Sequence, residues 1–326
     1  MILVGDVGGT KTDLALYTDN GQCTGRDTLR SRDYDNLEDL VRVFLQQHPA
    51  EVKTAVFGVA GPVTNGHAET TNLPWTIAES RLAKELDITS VKLLNDLEAM
   101  AYAVTHLAPE DVRTINPDAR SKPQGPIGVL APGTGLGQAY LLWQDDAYVA
   151  LPSEGGHNSF APSNAQQLRL LAYLMEHHRH VSVERVCSGI GLPNLYNFLK
   201  DSGDEAEPEW LRVQLEGITD PVPTIIRAAL NEDTPECAIC RATLTLFIDI
   251  MAAEASNLAL KLVTTGGIYL GGGLPRHIDK ALTYDAFMPS FLNKGRMAKL
   301  LRQIPVRIIQ HPEPALLGAV HYAMTR

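Results

Sequence analysis

The chain has 326 residues, 44% apolar and 20% charged, an ordinary globular composition with material for two hydrophobic cores. Its formal net charge of −10 leaves no basic surplus to displace counterions, which argues against a nucleic-acid partner but leaves room for a phosphorylated small ligand. The most apolar long stretch, Leu244–Val263, carries Asp249, Glu254 and Lys261, so it reads as a buried helix and not a membrane span.

Met1 leads directly into an apolar run with no basic or apolar leader. This predicts a cytoplasmic chain whose cysteines, Cys23, Cys187, Cys237 and Cys240, are reduced. Cys237 and Cys240 lack the second ligand pair that a zinc site needs.

Two strand-like runs, Ile2–Val4 and Leu14–Tyr17, flank a turn holding Gly5, Gly8, Gly9 and Thr10. More glycine is present than a hairpin requires. A row of N–H groups without side chains in the way makes an anion cradle for phosphates, with Val7 beside it. Asp6 ends the first strand, where a carboxylate next to a phosphate suits an intervening Mg²⁺. The alternative is a tight hairpin in which Asp6 only caps the turn. A P-loop is excluded, because Thr10 stands where that motif needs glycine and Asp13–Tyr17 continues as a strand.

Apolar spacing predicts a helix over Leu37–Leu45, a buried strand over Thr54–Ala60 ending in Gly61-Pro62, and a polar loop over 71–75. A helix over Ile77–Leu86, a strand over Val91–Leu94 and a helix over Leu97–His106 follow. This alternation predicts a βαβ arrangement with ligands at the carboxyl ends of the strands, where Gly61 and Asn95-Asp96 lie. Asn95 with Glu98 reads equally as a helix cap. The functional reading makes Asp96 a carboxylate able to accept a proton from a hydroxyl.

Residues 108–126, rich in Pro, Asp, Ser and Gly, read as a linker. Ile127–Trp143 then repeats the opening plan, with Gly133-Thr134-Gly135 in the place of the first glycine turn and Ala131 in the place of Asp6. Such self-similarity suggests duplicated domains gripping one polyphosphate. A polar loop over Leu151–Asn158 holds Glu154 and His157, and Ser182–Cys187 is a helical turn bearing Glu184. Between these, Gln166–His177 is a helix closed by His177–His180, where solvated histidines complement the dipole. Leu192–Leu199 is helical, residues 201–222 are acidic and irregular, and Cys237–Val263 is a long buried helix. A strand over Gly267–Gly273 enters the turn Gly271-Gly272-Gly273, with a helix from Pro275. A strand over Val306–Ile309 and a helix over Pro314–Met324 end the chain. Asn95, Asp96, Glu154, His157 and Glu184 together suit several sugar hydroxyls.

Asp6-x-Gly-Gly-Thr10, Gly133-Thr-Gly135 and Gly271-Gly-Gly273 resemble the two phosphate motifs and the adenosine motif of the sugar kinase and actin-like ATPase superfamily. Leu-Leu-Asn95-Asp96, Glu154-Gly-Gly-His157, Val-Ser-Val-Glu184 and the helix with Gly318 are similar to the bacterial glucokinase family, nearly end to end. The resemblance implies an α/β, ribonuclease H-like, actin/hexokinase-type fold of two domains with mixed sheets and an interdomain cleft. It places the small domain at 1–107 plus 304–326 and the large one at 108–303. It implies ATP-dependent phosphorylation of glucose at the 6-hydroxyl, Asp96 as base, and sugar contacts from Asn95, Glu154, His157 and Glu184. ATP phosphates and Mg²⁺ fall to Gly5–Thr10 and Gly133–Gly135, and a homodimer is typical. Lys11 and Pro132 depart from the family pattern, and Lys11 adds a positive charge near the phosphates. A kinase of another hexose or an N-acetylhexosamine, or a non-catalytic sugar sensor, is the alternative.

Overall fold

Alternation of apolar residues along the first strands decides how the first unit is layered. In the computed structural model, which describes residues 1–70 and 73–325, β1 (Ile2–Val7) and β2 (Lys11–Tyr17) form an antiparallel hairpin extended by β3 (Cys23–Arg30). Helix α1 (Leu37–Gln47), capped by Asn36, leads to β4 (Thr54–Val59). A small antiparallel sheet of β5 (Val63–Thr64), β6 (His67–Glu69) and β7 (Thr76–Ala78) comes next. The first two residues of the polar loop expected over 71–75, Thr71 and Asn72, lie outside the described residues. Ile77 and Ala78, expected in a helix, belong to β7 because they pair with Ala68 and His67, so α2 (Glu79–Leu86) begins after them. β8 (Ser90–Asn95) runs into α3 (Asp96–Ala103).

The later chain contributes β9 (Val112–Thr114), β10 (Ile127–Pro132), β11 (Leu136–Gln144), β12 (Ala147–Ser153), α4 (Ala165–Met175), α5 (Leu192–Asp201), α6 (Glu209–Leu215) and α7 (Val222–Ala229). Then come α8 (Ala238–Leu262), β13 (Gly267–Leu270), α9 (Gly273–His277), α10 (Tyr284–Phe291), α11 (Ala298–Leu301), β14 (Val306–Ile309) and α12 (Pro314–Thr325). Three expectations change. β9 lies inside the stretch read as a linker, α6 interrupts the segment read as irregular, and Leu151–Ser153 is strand.

The chain divides into two units. The first holds 1–111, 144–152 and 311–326, and the second holds 112–143 and 153–310. Residues 304–310, expected with the first domain, therefore lie in the second, because β14 pairs in parallel with β13. In the first unit the sheet order is β3-β2-β1-β4-β8, with β1, β4 and β8 parallel. One face packs Leu3, Val7, Leu14 and Phe57 against Leu40 and Phe44 of α1. The other packs Ile2, Val4 and Val56 against Ala99 of α3 and Ala315, Leu316 and Ala319 of α12. In the second unit β10 pairs antiparallel with β11 and parallel with β13, which repeats the relation of β1 to β2 and β4. Helix α8 is apolar on nearly every side and packs against α5, α7 and α10, as a helix without one polar face must.

Candidate active site

Register brings several strand ends of the first unit into line. Val7, Val59 and Asn95 are neighbours across β1, β4 and β8. The turn Gly8–Thr10, Gly61 and the pair Asn95-Asp96 therefore share the carboxyl edge of that sheet, where open α/β sheets bind ligands. Strand alternation puts Asp6 on the face of Ile2 and Val4, the face covered by α3, and Asp96 is the first residue of α3. Gly58 is the register neighbour of Asp6, and a Cβ on it would lie 3.8 Å from the α-carbon of Asp96. The Asp6 carboxyl is pushed up to about 7 by burial, and then by the negative charges of Asp96 and Asp13, with Lys11 opposing. A carboxyl group crowded by neighbouring carboxylates in this way belongs to a donor set that a hard divalent cation relieves. Among the described residues no group of at least three His, Cys, Asp or Glu side chains could hold a metal ion, so Mg²⁺ here would take its remaining ligands from phosphates and water.

The residues of the expected cradle differ in their surroundings. Gly8 donates its N–H to the Lys11 carbonyl at 3.0 Å, and so closes the turn with that group. Gly5 and Val7, expected among the nucleotide contacts, are buried within β1. A Cβ on Gly5 would stand 2.6 Å from Cδ1 of Phe57, so glycine is needed there for packing. Gly9 and Thr10 form the outer part of the turn, and Thr10 is exposed. Ser31 braces it from behind, donating its N–H to the Thr10 carbonyl at 3.1 Å and its hydroxyl to the Gly8 carbonyl at 2.7 Å. Lys11 Nζ lies 3.0 Å from Asp13 Oδ2, which sets part of its charge against an adjacent carboxylate.

Asn95 is the N-cap of α3. Its Oδ1 accepts from the Leu97 N–H at 2.9 Å and from the Glu98 N–H at 3.4 Å, and its Nδ2 donates to the Gly61 carbonyl at 2.9 Å. Glu98 accepts in return from the Asn95 backbone, which completes a capping box. The structural role expected for Asn95 is therefore present, and it holds the amide rigid. Asp96 Oδ1 accepts from the Leu97 N–H at 2.9 Å.

In the second unit, the Gly133–Gly135 turn is closed by the Gly133 N–H donating to the Gly135 carbonyl at 2.9 Å. The carbonyls of Gly133 and Thr134 accept from the N–H groups of Gly189 and Ile190 at 2.8 and 3.1 Å. Gly271 donates to the Leu130 carbonyl at 2.9 Å. Gly272, at φ +78°, comes so near the second turn that a Cβ would lie 2.6 Å from the Pro132 carbonyl oxygen. Only glycine combines that backbone angle with that approach.

The polar loops meet beside this turn. Glu184 Oε2 accepts from the Leu136 N–H at 2.9 Å, and a Cβ on Gly135 would lie 2.5 Å from the same oxygen. His157 Nδ1 stands 4.0 Å from Glu184 Oε1, and its Nε2 stands 3.8 Å from Glu154 Oε2. Glu154 and His157 are exposed, while Glu184 is 20% exposed, so three polar groups converge with solvent on one side. A cavity of about 400 Å³ opens beside His157 and Glu184, with His180 and Arg185 in its wall. Helix α4 ends at Met175, so His177–His180 do not close it as expected. A His180 ring nitrogen instead lies 3.0 Å from the His157 carbonyl oxygen and tethers that loop.

Sequence reasoning overlooked Ser31, Gly58 and Gly189. The last stands in Ser188-Gly189-Ile190-Gly191, a second glycine pair just after Glu184, and that spacing was its available signal. Ser31 and Gly58 left none, because their partners are distant in the chain.

A glucokinase family model matches residues 3–326. The glucokinase of Trichormus variabilis is 39% identical over 337 residues, covering 98% of this chain and 97% of the relative. The crystal structure of a glucokinase from an Antarctic psychrotroph is similar at TM-score 0.85 and 30% identity, covering 100% of this chain and 99% of that one. A glucokinase of the ROK family from Streptomyces griseus, in complex with glucose and AMPPNP, shares the fold at TM-score 0.66 and 17% identity, covering 100% and 99%.

Proposed function

The chain belongs to the glucokinase family, and from that premise we propose how it carries the γ-phosphoryl group of ATP to the 6-hydroxyl of D-glucose. The 6-oxygen forms a bond to the γ-phosphorus while the bond from that phosphorus to the bridging oxygen of ADP breaks. The hydroxyl proton passes to the Asp96 carboxylate as the oxygen attacks. The supporting observation is the register of Val7, Val59 and Asn95, which shares one sheet edge between the first glycine turn and Asp96.

Asn95, Glu154, His157 and Glu184 hold the sugar hydroxyls in this reading. Each offers an acceptor or donor that a polyol would satisfy and a deoxy analogue would leave unpaired. The turns Gly8–Thr10 and Gly133–Gly135 take the phosphates, and Gly271-Gly272 the nucleoside. Asp6 would hold Mg²⁺ through water, and that ion supplies neutralisation of charge on the phosphate oxygens. No helix among the described residues is long and apolar enough to cross a membrane. A cytoplasmic homodimer is part of the same proposal.

A coupled assay of the purified protein against a panel of hexoses, N-acetylhexosamines and phosphoryl donors tests it. The expected result is the highest kcat/KM for glucose with ATP. A higher value for another sugar, or turnover persisting at near-normal rate in Asp96→Ala, would overturn the assignment.

A further inference from the structure

Gln138 and Glu254 form a buried pair that the reaction above leaves unused. Gln138 stands on β11, two residues beyond Leu136, and is wholly buried. Its Nε2 donates to Glu254 Oε1 of α8 at 2.7 Å. Glu254, 5% exposed, accepts through Oε2 from Asn257 Nδ2 at 2.9 Å, and Asn257 Oδ1 accepts from Lys294 Nζ at 2.7 Å. This chain of donors and acceptors fixes the direction of the amide. A carboxylate accepts only, so the NH₂ end of Gln138 must face it and Oε1 must face the other way.

In that other direction lies Gly155, where a Cβ would stand 2.1 Å from Oε1. Oε1 has no hydrogen-bond partner among the described residues. A buried acceptor without a partner is costly, and an apolar side chain would fill the position without that cost. Gly156 rests equally close to β11, since a Cβ there would lie 2.1 Å from the Leu136 carbonyl oxygen. The two glycines of Glu154-Gly-Gly-His157 thus sit directly on the strand segment that ends at Gln138. The Gly155 N–H donates to Ser153 Oγ at 3.1 Å, and the His157 N–H donates to the Glu154 carbonyl at 3.0 Å, so the turn above is tight. A shift of its base is passed on to both side chains.

We propose that Gln138 is a positioning residue for sugar recognition: its amide sets the height of the Glu154–His157 turn, and Glu254, Asn257 and Lys294 lock that amide in place. The inference rests on the reading that Glu154 and His157 hold the sugar. The test compares Gln138→Leu, the double variant Gln138→Leu/Glu254→Leu, and His157→Ala, by steady-state kinetics and thermal melting of the full chain. Gln138→Leu should lower the melting temperature, because it strands the Glu254 carboxylate. It should also raise the glucose KM about tenfold while kcat and the ATP KM stay within about threefold. The double variant removes both partners of that bond but takes the acceptor from Asn257 Nδ2, so its melting temperature should recover in part while its glucose KM stays raised. If Gln138→Leu does not fold, the double variant carries the test alone. A glucose KM that returns to normal along with stability would overturn the proposal. So would a normal glucose KM in the double variant when His157→Ala raises it. If His157→Ala itself leaves the glucose KM unchanged, the sugar-loop reading fails and the inference falls with it.

Discussion

On α12, Gly318 lies so close to α3 that a Cβ on it would stand 1.7 Å from the carbonyl oxygen of Ala99. Ala99 is three residues beyond Asp96 on the same helix. Gly318→Ala must therefore push the two helices apart and carry Asp96 with α3. Overpacking of this kind should cost about 3 kcal/mol. The melting temperature and kcat should both fall, and the circular-dichroism melt and steady-state kinetics measure them. An unchanged kcat at a lower melting temperature would mean that α3 does not move.

Asp96→Asn keeps the size and the cap geometry but removes the proposed proton acceptor. We expect kcat to fall by roughly 10²- to 10⁴-fold, the range for loss of a general base. Glucose affinity by calorimetry should change by no more than a few fold. A large loss of affinity with kcat retained would recast Asp96 as a binding residue.

Gly135→Ala introduces a methyl group 2.5 Å from the Glu184 oxygen that takes the Leu136 N–H. The carboxylate must give way, so the glucose KM should rise about tenfold or more. Glu184→Gln, which retains an acceptor oxygen, should show a smaller rise. Equal KM values for Gly135→Ala and the wild type would show that Glu184 has another resting place.

His321 of α12 stacks on His106 with ring centroids 3.6 Å apart and planes within 6°. Burial, and then the neighbouring His106, push the His321 imidazole down to about 4. Burial also lowers His106. A histidine of the unfolded chain titrates near 6.5, so between pH 6.5 and about 4 the unfolded state binds more protons. Stability from this stack should be complete above pH 6.5 and decline as the pH falls through that window. Allowing for partial solvent exposure, the effect is roughly 1 kcal/mol. His321→Phe should flatten this part of the curve of melting temperature against pH, and an identical slope would dismiss the stack as its origin.

The two glycine hairpins were legible because apolar runs and turn residues are adjacent in the sequence. Asn95-Asp96 was legible for the same reason, as a strand end meeting a helix start. β3 was not, because it alternates exposed and half-buried residues and offers no apolar run. β9 was hidden by its length and its polar surroundings, since its pairing with β14 joins residues almost two hundred positions apart. The packing of Gly5 against the Phe57 ring was not legible, because nothing local distinguishes a glycine that makes room for a side chain from one that makes room for a ligand. The motif pointed to Glu154, His157 and Glu184, and the structure brings them together. The hold of Glu184 on the Leu136 amide could not be seen in advance.

That hold has a thermodynamic corollary. The carboxylate that grips the amide just past the Gly133–Gly135 turn also lies 4.0 Å from the imidazole of His157. A single anion is thus common property of the loop proposed for the nucleotide and the loop proposed for the carbohydrate. In the proposed roles, occupancy of either loop biases the other, and reciprocity requires each ligand to sharpen or blunt its companion's affinity by an identical factor.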